Sequence, residues 1–269
     1  MTTSPLTTTI GLKNHVSIGQ SVRNSLTMAG RGLLKVRRTP EQLIDVTVQP
    51  IIFTVMFASI FGGAIAGSVE SYLPFLLPGI LVQTVITTSV VTGVQLREDM
   101  EKGVFDRFRS LPIARVAPLA GALLADTLRY AIATILTFAT GYLMGYRPAA
   151  GLGGVLAAGL LVIGAAWALS WIFAFFGVIA RTAASVQGIS FLILFPLTFL
   201  SNAYVPIDTL PPALAWFASI NPVTHLVSAT RALTMGVDAG ADIVATLLGA
   251  AVVVAVFAPL TVRAYMRKA

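Results

Sequence analysis

The chain reads as an all-α integral membrane protein of six spans, and three features of the sequence predict this. Of its 269 residues 56% are hydrophobic and only 11% charged, where a soluble globular domain carries about 25%. The apolar residues fall into stretches of about 20 or more, the length a helix needs to cross about 30 Å of hydrocarbon. The basic residues fall almost entirely in alternate connections, as the positive-inside rule demands.

The expected spans are Val46–Ala66, Leu73–Gln95, Pro118–Tyr146, Leu152–Ala180, Ala184–Asn202 and Ile243–Val262. The third and fourth exceed the bilayer and must tilt or project from it. Pro50, Pro74, Pro78 and Pro196 fall inside spans, where neighbouring helices can satisfy the freed carbonyls. One side of the membrane receives Lys13, Arg23, Arg31, Lys35, Arg37, Arg38, Arg97, Lys102, Arg107, Arg109, Arg115, Arg181, Arg263, Arg267 and Lys268, and the other only Arg147 and Arg231. An even number of spans then places both termini in the cytoplasm of a bacterial plasma membrane. The first apolar run lies behind a long basic leader and is too long for a signal peptide core, so it reads as a retained span.

The whole chain, 1–269, forms one transmembrane unit with two further pieces. Over 16–38, Val22, Leu26, Ala29, Leu33 and Val36 recur at helical spacing with the basic residues largely off that stripe. This predicts an amphipathic helix lying in the membrane interface, a soluble leader being the alternative. Thr39-Pro40-Glu41 ends it and starts the next helix. Over 203–222 the chain is apolar but broken at Pro206, Pro211 and Pro212, so neither fragment can span. Irregular backbone at membrane depth survives only when buried in protein or lining a wet cavity. A re-entrant hairpin on the outer side is expected, against a plain outer loop with an interfacial helix around Trp216. Asn221-Pro222 turns the chain into a short helix ending near Met235.

The net charge of +7 fits cytoplasmic flanks better than nucleic acid, because no basic stripe carries interleaved aromatics. No cysteine is present, which excludes disulfides and thiolate chemistry. With two histidines, His15 in the leader and His225 outside the spans, no metal or catalytic set converges; no catalytic residue and no metal ligand is assigned. No G-x-x-x-x-G-K-[ST] run cradles phosphate; Gly151–Gly154 lacks the lysine and reads as close helix packing. Gly63–Gly67 and Gly141–Gly145 are G-x-x-x-G pairs that could let helices approach. His225 reads as a proton carrier or, more plainly, as a hydrogen-bonded structural residue. Asp126 and Arg129 lie three apart in the third span and share a helix face. They read as a pathway element or, more simply, as a salt bridge that lowers the cost of burying either charge.

The densest charge runs through 96–116, between the second and third spans. Glu98 with Lys102, and Asp106 with Arg109, can pair along a helix face, while Val104, Phe105, Phe108 and Leu111 offer an apolar one. Gly103 permits a sharp break and Pro112 ends the helix. Aromatic anchors ringed by charge suit a docking surface, where a solvated loop would need no such rings.

Two motifs on this topology carry a family resemblance. Arg97-Glu98-Asp99-Met100-Glu101-Lys102-Gly103, followed by Phe105-Asp106-Arg107-Phe108-Arg109-Ser110-Leu111-Pro112, resembles the cytoplasmic coupling segment of ABC-2 type exporter permeases. The stretch Phe199–Pro206, then Leu210-Pro211, Asn221-Pro222-Val223-Thr224-His225 and Arg231, is similar to that family's region between its fifth and sixth spans. The daunorubicin-resistance permeases, exporters of drugs or lipids, are the nearest subgroup by this likeness; polysaccharide and glycolipid exporters share the topology. The resemblance implies a transport subunit that is not itself an enzyme. It implies a separate ATP-binding subunit holding ATP and Mg, a second permease copy or paralogue, an amphipathic substrate and membrane lipid as partners. Arg97, Glu98, Glu101, Gly103, Phe105, Asp106, Phe108, Arg109 and Pro112 would receive the ATPase, and Arg231 would help hold the outer hairpin. A self-sufficient secondary transporter is the rival; it predicts ion-coupling charges near the midplane, and the spans offer one close pair.

Overall fold

The computed structural model describes residues 19, 23–24, 27–30, 40–104 and 117–268, with the side chains of 40–46 left aside. Most of the leader expected over 16–38, and Phe105, Asp106, Phe108, Arg109 and Pro112, lie outside the described residues.

Among the described residues the regular structure is helical. The long helices are α1 (Pro40–Ala66), α2 (Val69–Glu101), α3 (Ala117–Leu143), α4 (Gly151–Ile179) and α5 (Ala183–Phe199). A 3-10 turn at Ile207–Thr209 leads to α6 (Pro212–Ile220), α7 (Pro222–Met235) and α8 (Gly240–Lys268). Five of these, α1 through α4 and α8, are long and apolar enough to cross a membrane. Helix α5 has 17 residues, about 26 Å at 1.5 Å each, slightly short of the hydrocarbon thickness. The helices begin and end within about six residues of the expected spans; over the fifth, Ala184–Asn202, the helix stops three residues early, at Phe199.

Helix α2 is the axis of the bundle. It packs on α1, α3, α4, α5 and α7, and 72% of its most apolar stretch is buried, against 6% for α8. Its sequence allows this because Pro74, Pro78 and Gly79 keep one end slim. A side chain at Gly79 would strike the backbone of Ala203, and one at Gly93 that of Phe173. Gly177 of α4 faces Gly93 in turn, so α2 and α4 cross backbone to backbone. Tyr72, Leu73, Leu76, Leu77, Ile80 and Leu81 fill the core at one end of this crossing. Leu96, Leu119, Leu123 and Tyr265 fill a smaller cluster at the other.

The glycine pairs read from the sequence work differently. Gly63 faces open space, while Gly67 and Gly145 take positive φ, +75° and +104°, as turn residues. Gly141 alone of the four is packed in a helix, under Leu77. In the Gly151–Gly154 run the close approach is real at Gly154, which lies against the Leu233 carbonyl.

Two ends can be distinguished. At the first, called here the basic end, lie the C-termini of α2, α4 and α8 and the start of α5, with Arg97, Lys102, Arg181, Arg263, Arg267 and Lys268. Lys268 donates to the Val178 carbonyl at 2.7 Å and so caps the open end of α4. The opposite end holds the α1–α2 and α3–α4 turns and everything from Leu200 to Gly240.

Candidate functional site

Between α1, α2 and α5 lies an open groove of about 590 Å³, to which α3 contributes Arg129. Helical spacing makes its floor. Gln83, Thr87, Val91, Val94 and Glu98 recur every three or four residues and present one face of α2, with Gln95 beside it. Its wall is aromatic for the same reason. Phe191, Phe195 and Phe199 follow at four-residue steps on α5, with ring centroids 5.4 and 4.6 Å apart. The succession continues through Tyr204 (5.6 Å from Phe199) to Phe57 (4.6 Å) and Phe53 (5.7 Å) on α1, so rings arch over the end of the groove.

Polar groups on the floor are incompletely met. Gln95 Oε1 accepts from Arg129 Nη2 at 3.1 Å, but Gln95 Nε2 and Gln83 Oε1 are buried without a hydrogen-bond partner among the described residues. An unmet buried amide atom costs about 1–3 kcal/mol, so these side chains gain by turning toward a polar group placed in the groove. Sequence reasoning passed over them. Four glutamines inside apolar stretches, Gln49, Gln83, Gln95 and Gln187, were the available signal, but which faces they share is decided by packing.

Asp126 and Arg129 form a buried pair, 2.6 Å between Oδ1 and Nη1. Thr92 donates to Asp126 Oδ2 at 2.5 Å and lies 3.3 Å from the Tyr130 hydroxyl. The i, i+3 salt bridge expected from the sequence is therefore present, and it is joined to α2 by Thr92 and Gln95. Arg129 also lines the groove, so the bridge and the groove wall are one structure.

At the basic end α2 stops at Gly103, whose φ of +64° suits glycine and supplies the expected break. Lys102 Nζ lies 3.4 Å from Glu98 Oε2, as the i, i+4 spacing predicts. Arg97 and Glu101 reach the α4–α5 turn. Arg97 Nε donates to Glu101 Oε1 at 3.1 Å and Nη1 to the Ala180 carbonyl at 2.9 Å. Glu101 Oε1 also accepts from the Ala183 backbone N–H at 3.2 Å. These contacts within the chain were not foreseen, because they join residues 82 and 83 positions apart.

At the opposite end Asn221 holds two directions at once. Its side-chain oxygen accepts from Val223 N–H at 2.9 Å, capping α7, where Pro222 takes the first position. Its Nδ2 donates to the Leu197 and Leu200 carbonyls at 2.8 and 3.0 Å, ending α5. Arg231 donates to the Phe75 carbonyl at 2.9 Å and the Asn202 carbonyl at 3.0 Å, with its guanidinium 4.0 Å from the Phe75 ring centroid. Residues 201–204 are buried in protein, whereas Pro206 and Pro211 begin the 3-10 turn and α6. Trp216 on α6 is 66% exposed, so the interior reaches only the first part of the expected hairpin. His225 Nδ1 lies 2.8 Å from Asp242 Oδ1 and ties α7 to α8, in keeping with its structural reading.

Comparisons with known proteins agree with this architecture. The family model of the ABC-2 type transporter matches residues 24–235. The chain is 42% identical over 280 aligned positions to the daunorubicin resistance ABC transporter permease protein DrrB1 of Streptomyces coeruleorubidus, covering 100% of this chain and 99% of that protein.

Proposed function

This chain belongs to the ABC-2 type transporter family, and from that premise we propose that it is the membrane-spanning half of a drug exporter powered by a separate ATP-binding subunit. The observation that carries the reading is the end-to-end likeness to a daunorubicin-resistance permease. The groove supports it. One wall of stacked rings and one floor of amides and hydroxyls suit an amphipathic molecule with a flat apolar body and polar edges. Such a molecule reaches the groove from the membrane, either as a drug or as a lipid.

The groove is open, and Phe191, Phe195 and Phe199 of its lining are exposed. A second copy or a paralogue closes it, giving a route between two halves. The basic end faces the cytoplasm, because Lys and Arg are retained on that side. Helix α5 is the fifth of six crossings. Residues 96–116 receive the ATP-binding subunit, which holds ATP and Mg; this chain supplies the route and the lever. ATP binding draws the two ATPases together, and the halves shift between states that differ in how the groove opens.

The test is co-purification with the cognate ATP-binding subunit, followed by ATP-driven daunorubicin uptake into inverted vesicles. Wild type forms the complex and transports. Phe105→Asp inserts normally but loses the complex, since an aromatic anchor is replaced by a charge. Daunorubicin uptake that needs no ATP sinks the reading in favour of a secondary transporter.

A further inference from the structure

The mechanism above needs motion at the coupling segment to reach the groove, and one set of contacts is placed to carry it. We infer that Arg97 and Glu101 are positioning residues that couple the cytoplasmic end of α2 to α5, so that α5 and its aromatic wall follow the ATP-binding subunit. The inference rests on the exporter reading and adds a route within this chain.

Glu101 is the last residue of α2, two positions before the left-handed turn at Gly103 that opens the charged segment. Whatever moves that segment moves Glu101 first. Its carboxylate is bonded to the first N–H of α5, at Ala183, one of the donors that a helix start leaves without an internal partner. Arg97, one turn earlier, grips the Ala180 carbonyl just before α5 and braces Glu101 from behind. The α4–α5 turn is thus held from both sides by the tip of α2.

Helix α5 is free to answer. Its buried residues are Val186, Ser190, Leu194 and Thr198, a single stripe. Ser190 Oγ within that stripe has no hydrogen-bond partner among the described residues. The polar anchors lie at the ends: Glu101 at the basic end, and Asn221 holding the Leu197 and Leu200 carbonyls at the other. A rod pinned at one end and drawn at the other swings. Phe191, Phe195 and Phe199 ride on it and set the width of the groove. Glu101 is 39% exposed and Arg97 17%, so the link contributes little to stability and serves position instead.

Two substitutions cut the link from opposite sides. Glu101→Ala removes the acceptor. Ala183→Pro removes only the donor N–H, at the first position of a helix, where proline is favoured, after an extended Thr182 (φ −136°, ψ 153°) that suits a pre-proline residue. Glu101→Gln keeps an oxygen acceptor. The chain has no cysteine, so Ala184→Cys with Arg263→Cys, both exposed, gives a unique spin-label pair reporting α5 against α8. The assay uses the full chain with its ATP-binding subunit in proteoliposomes, with daunorubicin as the probe. Ala183→Pro, outside the segment that receives the ATPase, leaves ATP hydrolysis within about twofold, lowers transport about tenfold and abolishes the nucleotide-dependent distance change; Glu101→Ala abolishes the same distance change, and Glu101→Gln restores most of it. A transport-competent Ala183→Pro, or one whose nucleotide-dependent distance change matches that of wild type, overturns the inference. If wild type itself fails to transport with ATP, the exporter reading falls and takes the link with it. A working wild type with an indifferent Glu101→Ala sinks the link alone.

Discussion

The two ends of the bundle are built from the same kinds of residue and held in opposite ways. At the opposite end a half-buried arginine donates to the Phe75 and Asn202 carbonyls, and a buried asparagine caps one helix while closing another. At the basic end the charged side chains are partly exposed, pair with one another at helical spacing, and reach across to carbonyls at the ends of α4. A buried donor that loses its acceptors has no water to replace them; an exposed one does. The first arrangement resists displacement and serves as a pivot. The second breaks and reforms cheaply, which is what the driven end of a lever requires. Close to the basic end the α2–α4 crossing at Gly93 and Gly177, backbone against backbone, acts as a rigid waist.

Substitutions can break this contrast. The largest effect is expected at the waist. Gly93→Val drives a side chain into the Phe173 backbone, which cannot yield as a side-chain tip could, and costs more than about 3 kcal/mol. Fluorescence-detected size exclusion in detergent should show the monodisperse peak lost. Next comes Arg231→Met, which removes the charged donor from two part-buried carbonyls and costs about 1–3 kcal/mol, read as a lowered midpoint of thermal unfolding in detergent. Lys268→Met, at the basic end, loses a still shorter bond to the Val178 carbonyl, yet costs about 0.5 kcal/mol because Lys268 itself is exposed. If the Lys268 and Arg231 variants unfold at the same temperature, the two ends are equivalent and the lever has no pivot.

Much of the fold was legible because its signals are local. Five apolar stretches became helices that can span, Gly103 and Asn221-Pro222 became the expected break and turn, and Asp126 met Arg129 one turn away. Spacing along a helix is fixed by its pitch, so residues three or four apart are neighbours whatever the rest of the chain does. The glycine pairs show the limit of such reasoning: Gly63 meets nothing, while Gly93 and Gly177, 84 positions apart, make the close crossing.

The candidate site was less legible. Arg97, Glu98, Glu101 and Gly103 were singled out for a charged segment, but that Glu101 would bond to Ala183 lay outside any local pattern. Gln83 and Gln95 drew no notice, because a glutamine in an apolar helix is remarkable only once its neighbours are known. The sequence by itself determined that lipid is the solvent, where the helices run, which end is basic and which charges pair within one turn. Only the tertiary structure decided which helix is the axis, which face of α2 meets the rings of α5, and which tip holds which turn. The physical reason is that burial and helical pitch act through composition and short spacing, whereas the apolar helices of a bundle are interchangeable to lipid. Their partners are chosen by the fit of backbone to backbone and by polar groups that find no water.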